Sequence, residues 1–233
     1  MYSTLDSDAP GQRAPNLRRR IYEDLRQRLR QGEFDRDARL VDVDLARAAG
    51  ISRMPVREAL LQLTIEGHLV GTTRGFAVPQ LSAQDIADIF EIRRLTEPRA
   101  AAAAARDLDD EGLATLARCL QTARRAVGAN SFDLLSEANI RFRETWLAAL
   151  RNRRLAEVIT RFSDQAQIVR QGTLSIRSVQ FVVLDGLEGL HDAFRRRDSL
   201  DAHDRMAAFM AEAEHSYFDR LRGDSSGAGE EDT

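Results

Sequence analysis

Lysine is absent from this sequence of 233 residues, because every one of its 34 Lys+Arg side chains is an arginine. A chain without lysine cannot form a Schiff base with a carbonyl cofactor, which excludes enzymes that depend on pyridoxal phosphate. The same absence excludes a nucleotide-binding P-loop, in which a lysine reaches the phosphates. The composition therefore removes two large classes of enzyme before any motif is considered.

Cysteine and long apolar runs are also scarce. The single cysteine, Cys119, can form neither an internal disulfide nor a cysteine-based zinc site. The longest apolar run is a stretch of alanines over 100–105, which is too short to span a bilayer, and no secretory signal precedes it. With 43% hydrophobic and 30% charged residues, we expect a globular chain in the reducing cytoplasm, with no membrane partner.

The net charge of −3 is unevenly distributed along the chain. Residues 18–80 hold twelve arginines and nine acidic residues, whereas residues 81–233 hold 21 arginines and 26 acidic residues. A basic segment beside an acidic remainder favours two domains with different partners. We predict a first domain over 18–80, a second over 81–222, and disordered polar tails over 1–17 and 223–233.

The basic segment reads as three short helices followed by a hairpin. Apolar residues at spacing four predict a helix over 18–31, and a second helix over 42–49 ends at a glycine. Ser52 is expected to cap a third helix. The strands His68–Val70 and Phe76–Val78 flank a glycine-bounded turn, which predicts a β-hairpin. Two helices joined by a Gly-Ile-Ser turn and followed by a hairpin describe a winged helix-turn-helix.

The second domain is predicted to contain only helices. Ser82 and Asp85 form a capping-box-like start for a long helix that ends near Arg106. The fold class is therefore mainly α, with a winged helix-turn-helix and its small β-hairpin wing followed by an all-α antiparallel bundle. The later helices are expected over 109–127, 131–150, 153–171, 176–196 and 199–221, with breaks at Gly128, Asn152, Gly172 and Asp198.

The third helix, which begins SRMPVR, carries the candidate DNA-reading residues. Arg53 and Arg57 are four residues apart, so they share a face near the helix N-terminus. In a winged helix-turn-helix this end enters the major groove, where arginine binds guanine through two hydrogen bonds. Arg74 in the hairpin turn can reach phosphate or the minor groove. Two arginines on one face also fit an ordinary solvated surface, so spacing alone leaves both interpretations open.

A resemblance to a known family is evident in the same segment. The stretch ISRMPVREALLQLTIEGHLV followed by TTRGFAV resembles the recognition helix and wing of the GntR family of bacterial transcriptional regulators. The resemblance covers about 18–80 and implies binding to double-stranded DNA. Some members have an arginine where this chain has Val43, so their operator preference cannot be transferred. The residues expected at the DNA are Ser52, Arg53, Met54, Arg57, Arg74 and Gly75.

The second domain resembles the FCD effector domain of the FadR subfamily of these regulators. The stretches DIADIFEIRRLTEPRAAAAAA and GLHDAFRRRDSLDAHDRMAAFM look like its first helix and its last two helices. The resemblance implies a homodimer, usually a repressor, that binds a short inverted repeat and responds to a small metabolite. Many FCD domains hold a divalent metal through one Asp and three His. The corresponding positions here are Asn139, Arg143, Leu187 and Phe209, and because leucine and phenylalanine lack donor atoms we predict no metal and no cofactor.

Arg143 is the candidate effector-binding residue. Helical spacing puts it on one face with Asn139 and Trp146, and a buried guanidinium needs a negative partner. That partner is either an internal acid or the carboxylate of a small organic acid effector. The internal acids considered are Glu97, Glu144 and Asp185. The predicted effector-binding set, which includes an arginine that resembles one lining the FCD pocket, is Arg93, Asn139, Arg143, Trp146, Leu187 and Phe209.

Two other kinds of function are alternatives. An architectural DNA-binding protein would have the same first domain but would need no effector pocket. An enzyme is not expected, because Cys119 has no histidine nearby in sequence and no nucleophile elbow or metal motif occurs.

Overall fold

Two units make up the chain, Met1–Ser82 and Ala83–Thr233, in a computed structural model that describes residues 13–35, 38–170 and 175–227. The first unit carries a three-stranded sheet among its helices, and the second is helical throughout its described residues. The predicted fold class is thereby confirmed. Among the described residues no helix combines the length and the apolar character needed to cross a bilayer.

The first unit contains three helices and one small antiparallel sheet. The strand order is β1-β3-β2, and Leu40 in β1 pairs with Phe76 in β3. Helix α3 packs against both α1 and α2, with Leu60 and Leu63 fully buried, so the core fixes the helix predicted to read DNA. The elements are α1 (Arg13–Gln31), β1 (Arg39–Leu40), α2 (Asp42–Ala49), α3 (Arg53–Ile65), β2 (Val70–Thr72) and β3 (Gly75–Ala77).

The hairpin strands lie elsewhere than the sequence predicted. The predicted strand His68–Val70 is wrong at its start, because the His68 amide donates to the Leu63 carbonyl at 2.8 Å and so closes the end of α3. The sequence also gave no indication of β1, which is only two residues long and too short to show an alternating pattern. Helix α1 starts at Arg13, inside the segment 1–17 that was predicted to be a tail, and residues 1–12 lie outside the described residues.

The second unit is a bundle of long helices. Its apolar core includes Phe142, Trp146 and Phe194, and the most extensive packing is of α4 on α9, α5 on α6 and α8 on α9. The elements are α4 (Ala83–Asp107), α5 (Asp110–Gly128), α6 (Phe132–Ala148), α7 (Arg153–Arg170), α8 (Arg177–Arg195) and α9 (Ser199–Gly227).

Two helix ends in this unit differ from the prediction. Gly128, where a break was predicted, is the last residue of α5. The chain changes direction at Asn130, whose φ of 52° is a left-handed conformation that asparagine tolerates. Helix α9 continues to Gly227, into the segment 223–233 that was predicted to be a tail. The predicted break at Gly172 and the remainder of the tail lie outside the described residues.

Candidate functional sites

The turn between α2 and α3 depends on one glycine. Gly50 has φ of 67°, a left-handed conformation that costs glycine little. The amide of Ile51 then donates to the Ala46 carbonyl at 3.0 Å, which closes α2 and sets the direction of the following chain. This reversal brings the start of α3 next to the start of α2.

The N-terminal end of α3 is exposed on one face and buried on the other. Val56 lies in the core at 1% exposure, whereas Arg53 and Arg57 keep 57% and 51% of their side chains exposed. Met54 is 65% exposed. Ser52 stands at the N-cap with extended backbone, but its side chain makes no capping bond, so the predicted capping role is wrong. The four predicted DNA-contacting residues of this helix thus form one solvent-facing surface.

Asp42 is bonded to both Arg53 and Arg57 and was not among the predicted site residues. It is the first residue of α2 and is 5% exposed. Its Oδ2 accepts from Arg53 Nε at 2.8 Å and from Arg57 Nη1 at 3.4 Å. The hydrogen bond from Arg53 holds the pKa of the Asp42 carboxyl below its usual value, so the carboxylate stays charged at neutral pH. An acid at the start of α2 was the only sequence signal, and it resembled an ordinary helix-start acid.

The turn between β2 and β3 exposes Arg74. Its backbone amide donates to the Thr72 hydroxyl at 3.3 Å, and that hydroxyl donates to the Gly75 carbonyl at 3.1 Å. Gly75 has φ of 126°, and a Cβ there would lie 2.7 Å from the Leu40 carbonyl oxygen. Gly75 therefore shapes the wing by letting β1 approach, while Arg74 supplies the exposed charge.

The six residues predicted to bind an effector come together in one buried cavity of the second unit. They lie on α4, α6, α8 and α9, and each is at most 8% exposed. We call this space the effector cavity, after the prediction. It is lined by Arg93, Glu97, Asn139, Phe142, Arg143, Trp146, Leu187, Leu190, Met206, Phe209 and Met210.

Arg93 is paired with an acid one turn away on α4. Its Nε donates to Glu97 Oε1 at 2.5 Å, and the Ser163 hydroxyl on α7 donates to the same oxygen at 3.2 Å. The Nη1 atom of Arg93 is buried and has no hydrogen-bond partner among the described residues. One donor of this guanidinium is thus available to a further acceptor.

Arg143 lies opposite an acid that the sequence analysis did not consider. Its Nη2 is 4.0 Å from Asp164 Oδ1 on α7, which is within ion-pair distance but longer than a hydrogen bond. Of the acids considered from the sequence, Glu97 is bonded to Arg93 and Asp185 lines a separate groove. The nearby acid is therefore supplied by α7, a helix that the face pattern of α6 could not indicate.

The effector cavity is small, and each of its arginines lies near an acid. Arg93 is bonded to Glu97, and Arg143 lies 4.0 Å from Asp164. The free volume is about 20 Å³, which holds one water molecule, whereas pockets for organic ligands measure roughly 300–1,000 Å³. The space between these side chains is thus too small for an organic ligand unless the side chains move.

The positions that hold a metal in related domains do not fit a metal here. Asn139, Arg143, Leu187 and Phe209 do line one cavity, as the placement by resemblance requires. Only Asn139 offers a neutral donor, and the guanidinium repels a cation. No cluster of three or more His, Cys, Asp or Glu suited to a metal occurs within 13–35, 38–170 and 175–227.

We expect purified protein to contain no stoichiometric zinc, nickel or manganese, because fewer than three ligands remain at these positions. Inductively coupled plasma mass spectrometry on protein prepared without chelator measures this. About one metal ion per chain that is lost in an Asn139→Ala protein would contradict the prediction.

The single cysteine is not activated. Cys119 is 4% exposed, and burial raises the pKa of its thiol above the usual value. A thiol of raised pKa is a poor nucleophile at neutral pH.

Comparison with known proteins matches each of the two units to a known family. Residues 17–78 match the family described as bacterial regulatory proteins, gntR family, and residues 88–212 match the FCD domain. The chain is 28% identical over 152 residues to the HTH-type transcriptional regulator YdhC of Bacillus subtilis, covering 64% of this chain and 68% of YdhC. It is 31% identical over 129 residues to the HTH-type transcriptional regulator McbR of Escherichia coli, covering 55% of this chain and 58% of McbR.

The fold agrees with that of a solved relative. Escherichia coli McbR/YncC superimposes with a TM-score of 0.75 at 24% identity, covering 88% of this chain and 98% of that one. At this identity the likeness concerns the fold, and the family assignment rests on the sequence matches. The chain belongs to the GntR family of bacterial regulatory proteins and is a DNA-binding transcriptional regulator whose second unit is an FCD domain.

Proposed function

We propose that this regulator is a dimeric repressor whose operator binding is controlled by a small organic anion held in the effector cavity. The observation that carries the proposal is the pair of buried guanidinium groups, Arg93 and Arg143, in a cavity with apolar walls. A carboxylate pairs with a guanidinium through two parallel hydrogen bonds, and the apolar walls suit the rest of a small acid.

The DNA-binding half of the proposal is supported by the exposed start of α3. Arg53 and Arg57 reach solvent side by side and share Asp42, which restricts the directions their guanidinium groups can take. A restricted arginine loses less conformational entropy when it binds a guanine. A two-fold dimer presents two such helices, so the operator is a short inverted repeat.

The effector half is supported by the donor atoms in the cavity. Arg93 Nη1 has no acceptor among the described residues, and Arg143 Nη2 lies 4.0 Å from Asp164 Oδ1, which is longer than a hydrogen bond. A ligand carboxylate can approach both arginines with better geometry than Asp164 has. Because Asp164 lies on α7, exchange of one carboxylate for another would change how α7 is held, which couples ligand binding to the bundle.

An architectural DNA-binding protein is the second candidate function. The cavity volume of about 20 Å³ favours it, because a bundle with no ligand needs no larger space. The two candidates differ in one property, which is whether any small anion changes the affinity for DNA.

Operator binding with and without organic acids tests the proposal. The operator is first obtained by selecting bound fragments from a random DNA library, and dimerisation is measured by light scattering. Fluorescence anisotropy then measures the affinity for that operator in the presence of a panel of monocarboxylates and dicarboxylates. We expect at least one acid to weaken binding about tenfold, which corresponds to about 1.4 kcal/mol of coupling. If no acid in the panel changes the affinity, the architectural function is supported instead.

The Asp42→Asn protein is expected to lose about tenfold in operator affinity, because the amide carries no charge to hold Arg53 and Arg57 in place. Its affinity for unrelated DNA should be equal or higher, since one negative charge has left the DNA-facing surface. Anisotropy titrations with operator and scrambled DNA at one salt concentration measure the ratio of the two affinities.

Asp44→Asn is the matched control for this prediction. It removes the same charge from the same helix, but Asp44 is 68% exposed and pairs with Arg47 at 3.5 Å. The control should leave the ratio of operator to scrambled affinity unchanged. If Asp42→Asn instead tightens operator binding, Asp42 sequesters the arginines and its positioning role is wrong.

A further inference from the structure

Phe209 lies between two separate spaces in the second unit. On one side it lines the effector cavity of about 20 Å³. On the other side it lines a groove of about 490 Å³ between α8 and α9, which we call the α8–α9 groove. The side chain is only 8% exposed, and Phe209 is the residue that the two linings share. The groove is lined by Phe181, Val182, Asp185, Gly186, Gly189, Arg205, Ala208, Phe209 and Glu212.

The ring of Phe209 lies directly against the backbone of α8. A Cβ at Gly186 would fall 2.5–2.7 Å from three ring carbons, which is closer than any real contact. Gly186 therefore creates the space that the ring occupies. One turn further along α8, a Cβ at Gly189 would lie 2.8 Å from Arg205 Nη1, so the same face of α8 accommodates two side chains of α9.

We propose that Phe209 is a gate through which small acids pass from the α8–α9 groove to Arg93 and Arg143, and that its size limits which acids are admitted. The inference rests on the proposed function, since it concerns access to the same cavity. The cavity of about 20 Å³ must enlarge to hold any organic ligand, and rotation of one side chain requires less rearrangement than displacement of a packed helix.

The chemistry of the groove indicates the class of acid. Its wall contains the exposed ring of Phe181 and the side chain of Val182, which suit an apolar body. Its polar residues are Asp185, Glu212 and Arg205, and the Arg205 guanidinium is bonded to Asp201 at 2.9 Å. Each additional negative charge on a ligand meets more repulsion here, so the groove favours monocarboxylates with an apolar body over dicarboxylates.

The single tryptophan makes the gate measurable without any knowledge of the effector. Trp146 is the only tryptophan in the chain, is 1% exposed and lines the effector cavity. Acrylamide, a small neutral quencher, reports how readily solvent molecules reach it. We expect the quenching constant of Phe209→Ala to exceed that of the wild type about threefold or more, because the cavity and the groove merge.

Phe181→Ala is the matched control, since it removes the same side chain from the same groove without opening the cavity. Its quenching constant should equal that of the wild type. Phe209→Leu, which removes less volume, should give an intermediate value if the alanine protein is too unstable to measure. Circular dichroism and a cooperative melting curve confirm that each variant is folded.

Two results would contradict the proposal that Phe209 is a gate. The first is an unchanged quenching constant in folded Phe209→Ala or Phe209→Leu protein. The second is an increase in Asp164→Asn but not in the Phe209 variants, which would place the access route beneath α7. Both results are obtained with acrylamide alone, so they are distinct from failure of the proposed function, which would show as an absence of carboxylate effects on DNA binding.

Discussion

Arg53→Ala protein is expected to bind its operator about 10- to 100-fold more weakly than the wild type, a loss of about 1–3 kcal/mol. The physical reason is the loss of a two-pronged hydrogen bond to a base edge. Arg53 stands on the first turn of α3, is 57% exposed and is directed by Asp42. The loss should be accompanied by relaxed preference at one base pair of each half-site, because a base contact carries sequence information.

Arg74→Ala provides the contrast for this prediction. Arg74 lies in the exposed wing turn, where contact with phosphate or the minor groove gives affinity with little sequence information. The Arg74 variant should bind operator and scrambled DNA more weakly by a similar factor, with a shallower dependence on salt. Competition with single-base operator variants measures both properties. If Arg53→Ala keeps the base preference of the wild type, Arg53 does not read a base.

The helix-turn-helix could be predicted because its signals are local. The turn lies at Gly50, as predicted, and this glycine has a left-handed conformation. Helix α2 spans the predicted residues 42–49. The sheet was less predictable, because the pairing of β1 with β3 joins residues far apart in sequence. Strand β1 has only two residues, and no alternating pattern can show in so short a segment.

The acids that pair with the predicted site arginines were missed for a related reason. Asp42 and Asp164 each face an arginine on a different helix, so neither pair follows the spacing of a single helix. The pair of Arg93 and Glu97 does follow that spacing, at four residues on α4. The face pattern of α6 correctly placed Asn139, Arg143 and Trp146 in the interior, but a one-helix pattern cannot name the residue opposite.

Cavity size also could not be predicted from the sequence. Six of its eleven lining residues were predicted from resemblance and helical spacing, whereas its volume depends on how the large rings of Trp146 and Phe209 pack. Close packing leaves little free space in any protein interior. The sequence could therefore indicate which kinds of side chain meet here, but not that the space left between them is only about 20 Å³.

Arg143 and Asp164 are expected to affect effector binding in opposite directions. Arg143→Ala should weaken binding of an organic acid about 10- to 100-fold, because charge-assisted hydrogen bonds to its carboxylate are lost. Asp164→Asn should strengthen binding of the same acid about tenfold, because it removes a competing negative charge 4.0 Å from the guanidinium. Isothermal titration calorimetry with one acid against the three proteins measures both changes.

Because the two substitutions are expected to change ligand affinity in opposite directions, they distinguish an effect on ligand binding from an effect on stability. Both substitutions break the same buried ion pair, so both should lower the melting temperature. A loss of affinity caused by instability would therefore appear in both variants, whereas competition for Arg143 predicts a gain in Asp164→Asn. Arg141→Ala is the matched control, since it removes an exposed arginine from the same helix and should leave affinity unchanged. If the wild type, Arg141→Ala and Arg143→Ala bind the organic acid with equal affinity, Arg143 is only a structural partner of Asp164.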